Sequence, residues 1–142
     1  MPLAIEGLVR RFYADVWNRR SEEAAWEILH PELQFRGSLD AVREGQDGFI
    51  AYMHEVHEAL ENYTCTITDL IASGERAAAR LDFRGRHRGP FFGVNATGKE
   101  IVWTGAAFFT ERDSRIGAIW VLGDIDAVKK QLGIGQDTKF ET

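Results

Sequence analysis

Between Ala77 and Arg88 the chain alternates in a way that only an extended strand can use. Ala77, Ala79, Leu81, Phe83, Gly85 and His87 fall on one parity, and Arg80, Asp82, Arg84, Arg86 and Arg88 fall on the other. Successive side chains of a strand point to opposite faces, so this segment predicts a strand with one dry and one wet face. Arg86 and Arg88 then face water, and His87 faces whatever the dry side covers. Upstream, Tyr63, Cys65 and Ile67 alternate against Thr64, Thr66 and Thr68, and Ser73-Gly74-Glu75 reads as the turn between the two strands. Downstream, two segments from about 100 to 110 and 115 to 123, IVWTGAAFF and IGAIWVLG, are apolar on both parities. Both faces of those strands ask for cover: helices on one, and on the other a second copy of the chain, giving a homodimer through the outer sheet face.

The first sixty residues carry a different period. Ile5, Leu8, Phe12 and Val16 recur at three- and four-residue spacing, which predicts an amphipathic helix from about 3 to 18 with Tyr13 and Trp17 beside its stripe and Asn18 at its end. Ser21 is placed to cap a second helix that carries Glu22 and Glu23 in its first turn, and the His30-Pro31 step ends it. A short strand through 33 to 36 is expected next. The segment EGQDG then leads into a third helix with Phe49, Met53, Val56 and Leu60 on one face and Asp47 as its cap. A last helical turn covers 126 to 132, followed by the polar tail GIGQDTKFET. Three helices followed by about four antiparallel strands predict an α+β fold, a bent sheet wrapped around one helical layer. Residues 1 to 133 make one domain, and 134 to 142 form a tail expected to fray.

Composition limits the function. A chain of 142 residues, 44% hydrophobic, supports one sizeable core. Its single cysteine, Cys65, excludes an internal disulfide framework, and the net charge of −5 argues against a general nucleic-acid binder. The N-terminal MPLAIEGLVRRFY has no secretion-type apolar run and no segment is long enough to span a bilayer, so a cytoplasmic protein with a small-molecule partner is expected. His54-Glu55-Val56-His57-Glu58 sets its histidines three apart rather than the four of a zinc helix. Gly85, Gly89 and Gly93 match neither a dinucleotide fingerprint nor a P-loop, and no serine nucleophile elbow is present.

Three stretches, RFYADVWN, GRHRGPFFGVNATGKEIVWTG and IGAIWVLGDIDAVKKQLG, resemble the SnoaL-like polyketide cyclases of the NTF2-like fold group in content, order and spacing. The resemblance runs over nearly all of residues 5 to 133. It implies a cone-shaped pocket without metal or organic cofactor, in which an acid on the last strand closes a polyketide ring by an intramolecular aldol step. By motif match that acid is Asp124. It shares parity with Ile116, Ala118, Trp120 and Leu122, so a dry row ending in one carboxylate is expected, and desolvation raises the pKa of such an acid. His87 is the second candidate catalytic residue. Phe12, Tyr13, Trp17, Phe35, Tyr52, Phe83, Phe92 and Trp120 are the expected walls of a pocket for a flat apolar ligand. Family members often pair the aspartate with a histidine on the neighbouring strand, and the segment from Trp103 to Thr110 has none. Each residue also has a plainer reading: Asp124 as a helix cap, His87 as a hydrogen-bonded inner-face residue, and the pocket as a binding site without chemistry.

Overall fold

The computed structural model describes residues 4–39 and 41–134. Helix α1, Ile5–Arg11, buries Ile5, Leu8 and Val9, and then widens into a π-helical stretch, Phe12–Trp17. The Asn18 amide reaches back five residues to the Tyr13 carbonyl at 2.9 Å. Widening turns Phe12, Tyr13, Val16 and Trp17 all inward, so the two aromatics predicted to flank the stripe are part of it. The Asn18 side chain then pairs with the free side of a strand: its Nδ2 donates to the Cys65 carbonyl at 2.9 Å and its Oδ1 accepts from the Cys65 amide at 2.8 Å.

Helix α2, Glu22–Ile28, is capped as predicted, with Ser21 Oγ accepting from the Ala24 amide at 3.0 Å. Strand β1, Leu29–Arg36, starts four residues earlier than expected and is followed by the short edge strand β2, Val42–Glu44. Helix α3, Gly45–Ala59, begins two residues ahead of the predicted Asp47 cap, after an extended Glu44 that makes no side-chain cap. Leu60, expected on its apolar face, instead opens strand β3, Leu60–Ser73. Strands β4, Arg76–His87, β5, Glu100–Arg112, and β6, Arg115–Gly123, complete the sheet, and helix α4, Ile125–Leu132, closes the described chain at Gly133, whose φ of 77° suits a glycine cap. The predicted tail lies outside the described residues from 135 onward.

The six strands form one curved, open sheet in the order β2-β1-β6-β5-β4-β3. The expectation of about four antiparallel strands is corrected in two ways: β1 and β2 join the sheet, and β1 runs parallel to β6. Pro31 is accommodated because the β1–β6 register shifts between Leu29 and Gln34, where no ladder amide is required. A second shift decides the parity of β6. Glu111 faces Ile116 but Thr110 faces Ala118, so Gly117 is an extra residue and the strand changes face there. Beyond it Ile119 and Val121 point into the core, while Trp120 and Leu122 stand 45% and 53% exposed on the outer face. The dry even row predicted to end at Asp124 is therefore not formed.

The alternation of β4 holds throughout: Ala77, Ala79, Leu81, Phe83 and His87 are buried against the helices. Around them, Phe12, Trp17 and Phe49 from the helical layer and Tyr63 and Phe109 from the neighbouring strands pack at centroid distances of 5.3 to 5.9 Å, Phe12–Phe49 tilted and the other pairs edge to face. The outer face keeps Val102, Phe108, Trp120 and Leu122 exposed.

Candidate active site

Six of the residues expected as pocket walls lie together in the interior. Phe12, Tyr13, Trp17, Phe35, Tyr52 and Phe83 surround an interior cavity together with Ser38, Tyr63 and Val121. Its free volume is about 10 Å³, room for one water-sized sphere. The aromatic side chains fill the cone that they line. Burial pushes the phenols of Tyr13, Tyr52 and Tyr63 well above their ordinary value and the Cys65 thiol up to about 12. At neutral pH these groups keep their protons, so none of them is a base.

The other two predicted walls lie elsewhere. Trp120 lines an outer cleft of about 340 Å³ with Arg36, Arg43, Arg76 and Phe108, and the Arg36 guanidinium stacks 5.2 Å from its ring centroid. Phe92 sits in the β4–β5 loop at a φ of 50°, partly exposed against Phe91.

His87 is fully enclosed and spends both ring nitrogens on that same loop. Its Nδ1 accepts from the Thr97 amide at 3.2 Å, with the Thr97 hydroxyl 3.0 Å away, which leaves Nε2–H to donate to the Val94 carbonyl at 3.2 Å. The Gly/Pro/aromatic segment after His87 is thus a loop folded over one histidine. Nearby, His54 is an exposed ion-pair partner of Glu22 at 2.8 Å, whereas His57 is buried and donates from Nε2 to the Trp17 carbonyl at 3.0 Å. The two face different surroundings. Burial, aided by Arg20, lowers the His57 imidazole to about 4.

Asp124 is exposed and caps α4, its Oδ1 accepting from the Ala127 amide at 3.1 Å. Oδ2 takes no part in that cap. The carboxylate lines an open groove of about 530 Å³ with Thr66, Asp82, Arg84, Val102, Thr104 and the aromatic residues Phe83 and Trp103. His87 does not line this groove, so the two predicted catalytic residues are not brought together. Asp82, the second carboxylate here, was visible in the sequence only as one member of the wet row of β4.

Two local devices hold Asp124 in place. Its backbone amide donates to the Thr104 carbonyl at 2.9 Å, which carries the chain from β6 along β5. Gln131, the penultimate residue of α4, then acts as a substitute strand neighbour: Oε1 accepts from the Val102 amide at 2.8 Å and Nε2 donates to the Val102 carbonyl at 2.7 Å. Trp103 lies between these contacts and is 3% exposed. Its indole Nε1 and His57 Nδ1 are, among the described residues, the buried side-chain polar atoms with no hydrogen-bond partner. Such a group costs about 1–3 kcal/mol, which makes each worth explaining.

Comparison with known proteins agrees with this architecture. The family model for the SnoaL-like polyketide cyclases matches residues 7–132. TsrD from Streptomyces laurentii is 27% identical, with a TM-score of 0.81 over 91% of this chain and 94% of that one. A SnoaL-like polyketide cyclase from Agrobacterium tumefaciens has the same fold at 18% identity, with a TM-score of 0.78 over 92% of this chain and 99% of that one. A search of curated proteins finds no match. With the matched region running from the first turn of α1 to the last residue of α4, the chain belongs to the SnoaL-like polyketide cyclase family.

Proposed function

We propose that this chain is a cofactor-independent cyclase or isomerase that moves protons on a carbonyl compound of polyketide type, with Asp124 as the base and then the acid. One observation carries the reading: Asp124 holds its place through one oxygen, in a groove large enough for a small molecule, beside an interior whose buried phenols and thiol remain protonated. A methylene between two carbonyls is already acidic, so a positioned carboxylate suffices. Asp124 takes one proton from that methylene, the resulting carbanion bonds to a second carbonyl carbon of the same molecule, and the new alkoxide takes the proton back. No oxidant, reductant or second substrate enters, and the product is an isomer of the substrate.

His87 has no part in this reading, because both its nitrogens hold the 88–99 loop. The competing reading is a binding protein in which Asp124 only caps α4, and the observation in its favour is the exposure of that carboxylate. Product analysis separates them. With a linear naphthyl ester carrying alternating ketones as probe, the wild-type protein yields a ring-closed isomer resolved by chromatography and Asp124→Asn does not. Unchanged probe in both samples favours the binding protein.

The proposal extends to assembly and place. Val102, Phe108, Trp120 and Leu122 give the outer sheet face an apolar row that a second copy would cover, so we take the working unit as a homodimer. No described helix is long and apolar enough to cross a membrane, and a cytoplasmic location fits the proposed chemistry.

A further inference from the structure

On the outer face of the sheet, hydroxyls and carboxylates alternate along one row. Thr66 on β3 pairs with Asp82 on β4, and Asp82 pairs with Thr104 on β5. Asp124 follows, its amide donating to the Thr104 carbonyl at 2.9 Å just past the pairing of Gly105 with Gly123. All four residues are exposed, and all four line the groove of about 530 Å³. Residues opposite one another in antiparallel strands hold their Cβ atoms about 5 Å apart, so Thr104 has a carboxylate on either side and is the cross-strand neighbour of Asp124.

A carbonyl oxygen accepts hydrogen bonds and cannot donate, and an ionised carboxylate is an acceptor only. A ligand that turns its methylene to Asp124 therefore needs a donor beside it. On the outer face, the side chains that line the groove and can donate are Thr66, Arg84 and Thr104. Arg84 is engaged by Glu100 at 2.7 Å, and Thr66 lies three strand spacings from Asp124, about 14 Å. Thr104 is adjacent and its hydroxyl is unclaimed. Thr64 and Thr68 donate theirs to the carbonyls of Asn62 and Arg80 at 3.4 and 3.2 Å, whereas Thr104 Oγ1 makes no hydrogen bond to any described residue. Its position is fixed by the ladder to Asp82 and by the Asp124 amide, and a threonine side chain is stiff at χ1. Removing a proton beside a carbonyl moves negative charge onto the carbonyl oxygen, and a donor already in place stabilises that charge. We propose that the Thr104 hydroxyl is the hydrogen-bond donor that holds the carbonyl oxygen of the ligand on which Asp124 acts. The base at the end of β6 and the donor on β5 then flank one carbonyl group. This assignment rests on the reading of the Asp124 groove as a carbonyl-compound site.

The test compares Thr104→Val, which keeps the shape and loses the hydroxyl, with Thr104→Ser, which keeps the hydroxyl and loses the methyl. Binding is measured with naphthoylacetone and with butylnaphthalene, which has a similar shape and no oxygen. Methylene exchange is measured in heavy water at saturating naphthoylacetone. Thr104→Val should weaken naphthoylacetone binding by about three- to tenfold, the worth of one neutral hydrogen bond, and leave butylnaphthalene within about twofold. Exchange of the bound probe should slow by about tenfold or more, because a hydrogen bond to a charged oxygen is worth more than one to a neutral oxygen. Thr104→Ser should stay within about threefold of wild type on every readout. A merely structural role would weaken both probes alike and would not be rescued by serine. If Thr104→Val binds and exchanges as wild type while Asp124→Asn loses exchange, the donor role is overturned and the carbonyl site stands. If the wild-type protein accelerates exchange no more than Asp124→Asn does, the carbonyl-site reading falls and the donor role with it. Loss of fold in Thr104→Val, read by circular dichroism, moves the same comparison to Thr104→Ala.

Discussion

Asp124 stands where a strand becomes a helix, and its two roles there respond differently to substitution. Asn caps a helix nearly as well as Asp but cannot take up a proton, so Asp124→Asn should lose turnover and change unfolding free energy by less than about 0.5 kcal/mol in urea melts. Asp124→Ala loses the bond to Ala127 as well and should cost about 1 kcal/mol. His87 gives the opposite pattern. His87→Phe would leave the Thr97 amide and the Val94 carbonyl unpaired, which predicts a loss of about 1–3 kcal/mol and faster hydrogen exchange at Thr97, with product formation retained wherever the fold survives. His57 adds a pH dependence. Its folded value of about 4 lies below the roughly 6.5 of an unfolded chain, so as pH falls the unfolded state takes up the proton first. The contribution is complete above pH 6.5 and declines toward pH 4. Between pH 7 and pH 5 the wild-type protein should lose up to about 2 kcal/mol more stability than His57→Phe, measured by urea unfolding at each pH.

At the scale of elements, Gln131 joins α4 to the open edge of β5, beside the burial of Val128 and Leu132. Gln131→Leu keeps helix propensity and length but unpairs both backbone groups of Val102, which predicts a loss of about 1–2 kcal/mol and early hydrogen exchange at Val102. The same region shows what a sequence can and cannot tell. Strand β4 was legible residue by residue because its alternation is unbroken over Arg76–His87. Strand β6 was legible as a strand, yet its parity was read as unbroken, because the extra residue at Gly117 reverses the faces and the internal glycine, the one sign of a bulge in IGAIWVLG, was passed over. Trp120 was therefore placed in the pocket when it belongs to the outer face, and Asp124 at the end of a row that does not exist. Phe12 was legible from helical spacing, whereas Tyr13 and Trp17 join it because the helix widens over Phe12–Trp17. Ser38, Tyr63 and Val121 join them only through tertiary packing. Asp82 carried no signal beyond its place in the alternating strand β4, and Trp103 none beyond its place in an apolar strand, since the groove exists only once β4, β5 and α4 are assembled.

At the scale of the whole molecule, the cone is filled by its own aromatic rings, with about 10 Å³ free inside against about 530 Å³ in the open groove that Asp124 lines. The outer face has a separate use. If Phe108 and Trp120 pack against a second copy, Trp120→Lys should convert a species of twice the 16.0 kDa chain mass into the single chain in native mass spectrometry, without loss of helix or strand content by circular dichroism. The central claim is proton transfer by Asp124, and deuterium exchange reads it without knowledge of the natural substrate. In heavy water, the methylene of naphthoylacetone should exchange faster with the wild-type protein than in buffer, with the acceleration lost in Asp124→Asn at equal probe binding. Equal acceleration by both proteins, or none by either when the probe is bound, would contradict the assignment of Asp124 as the base.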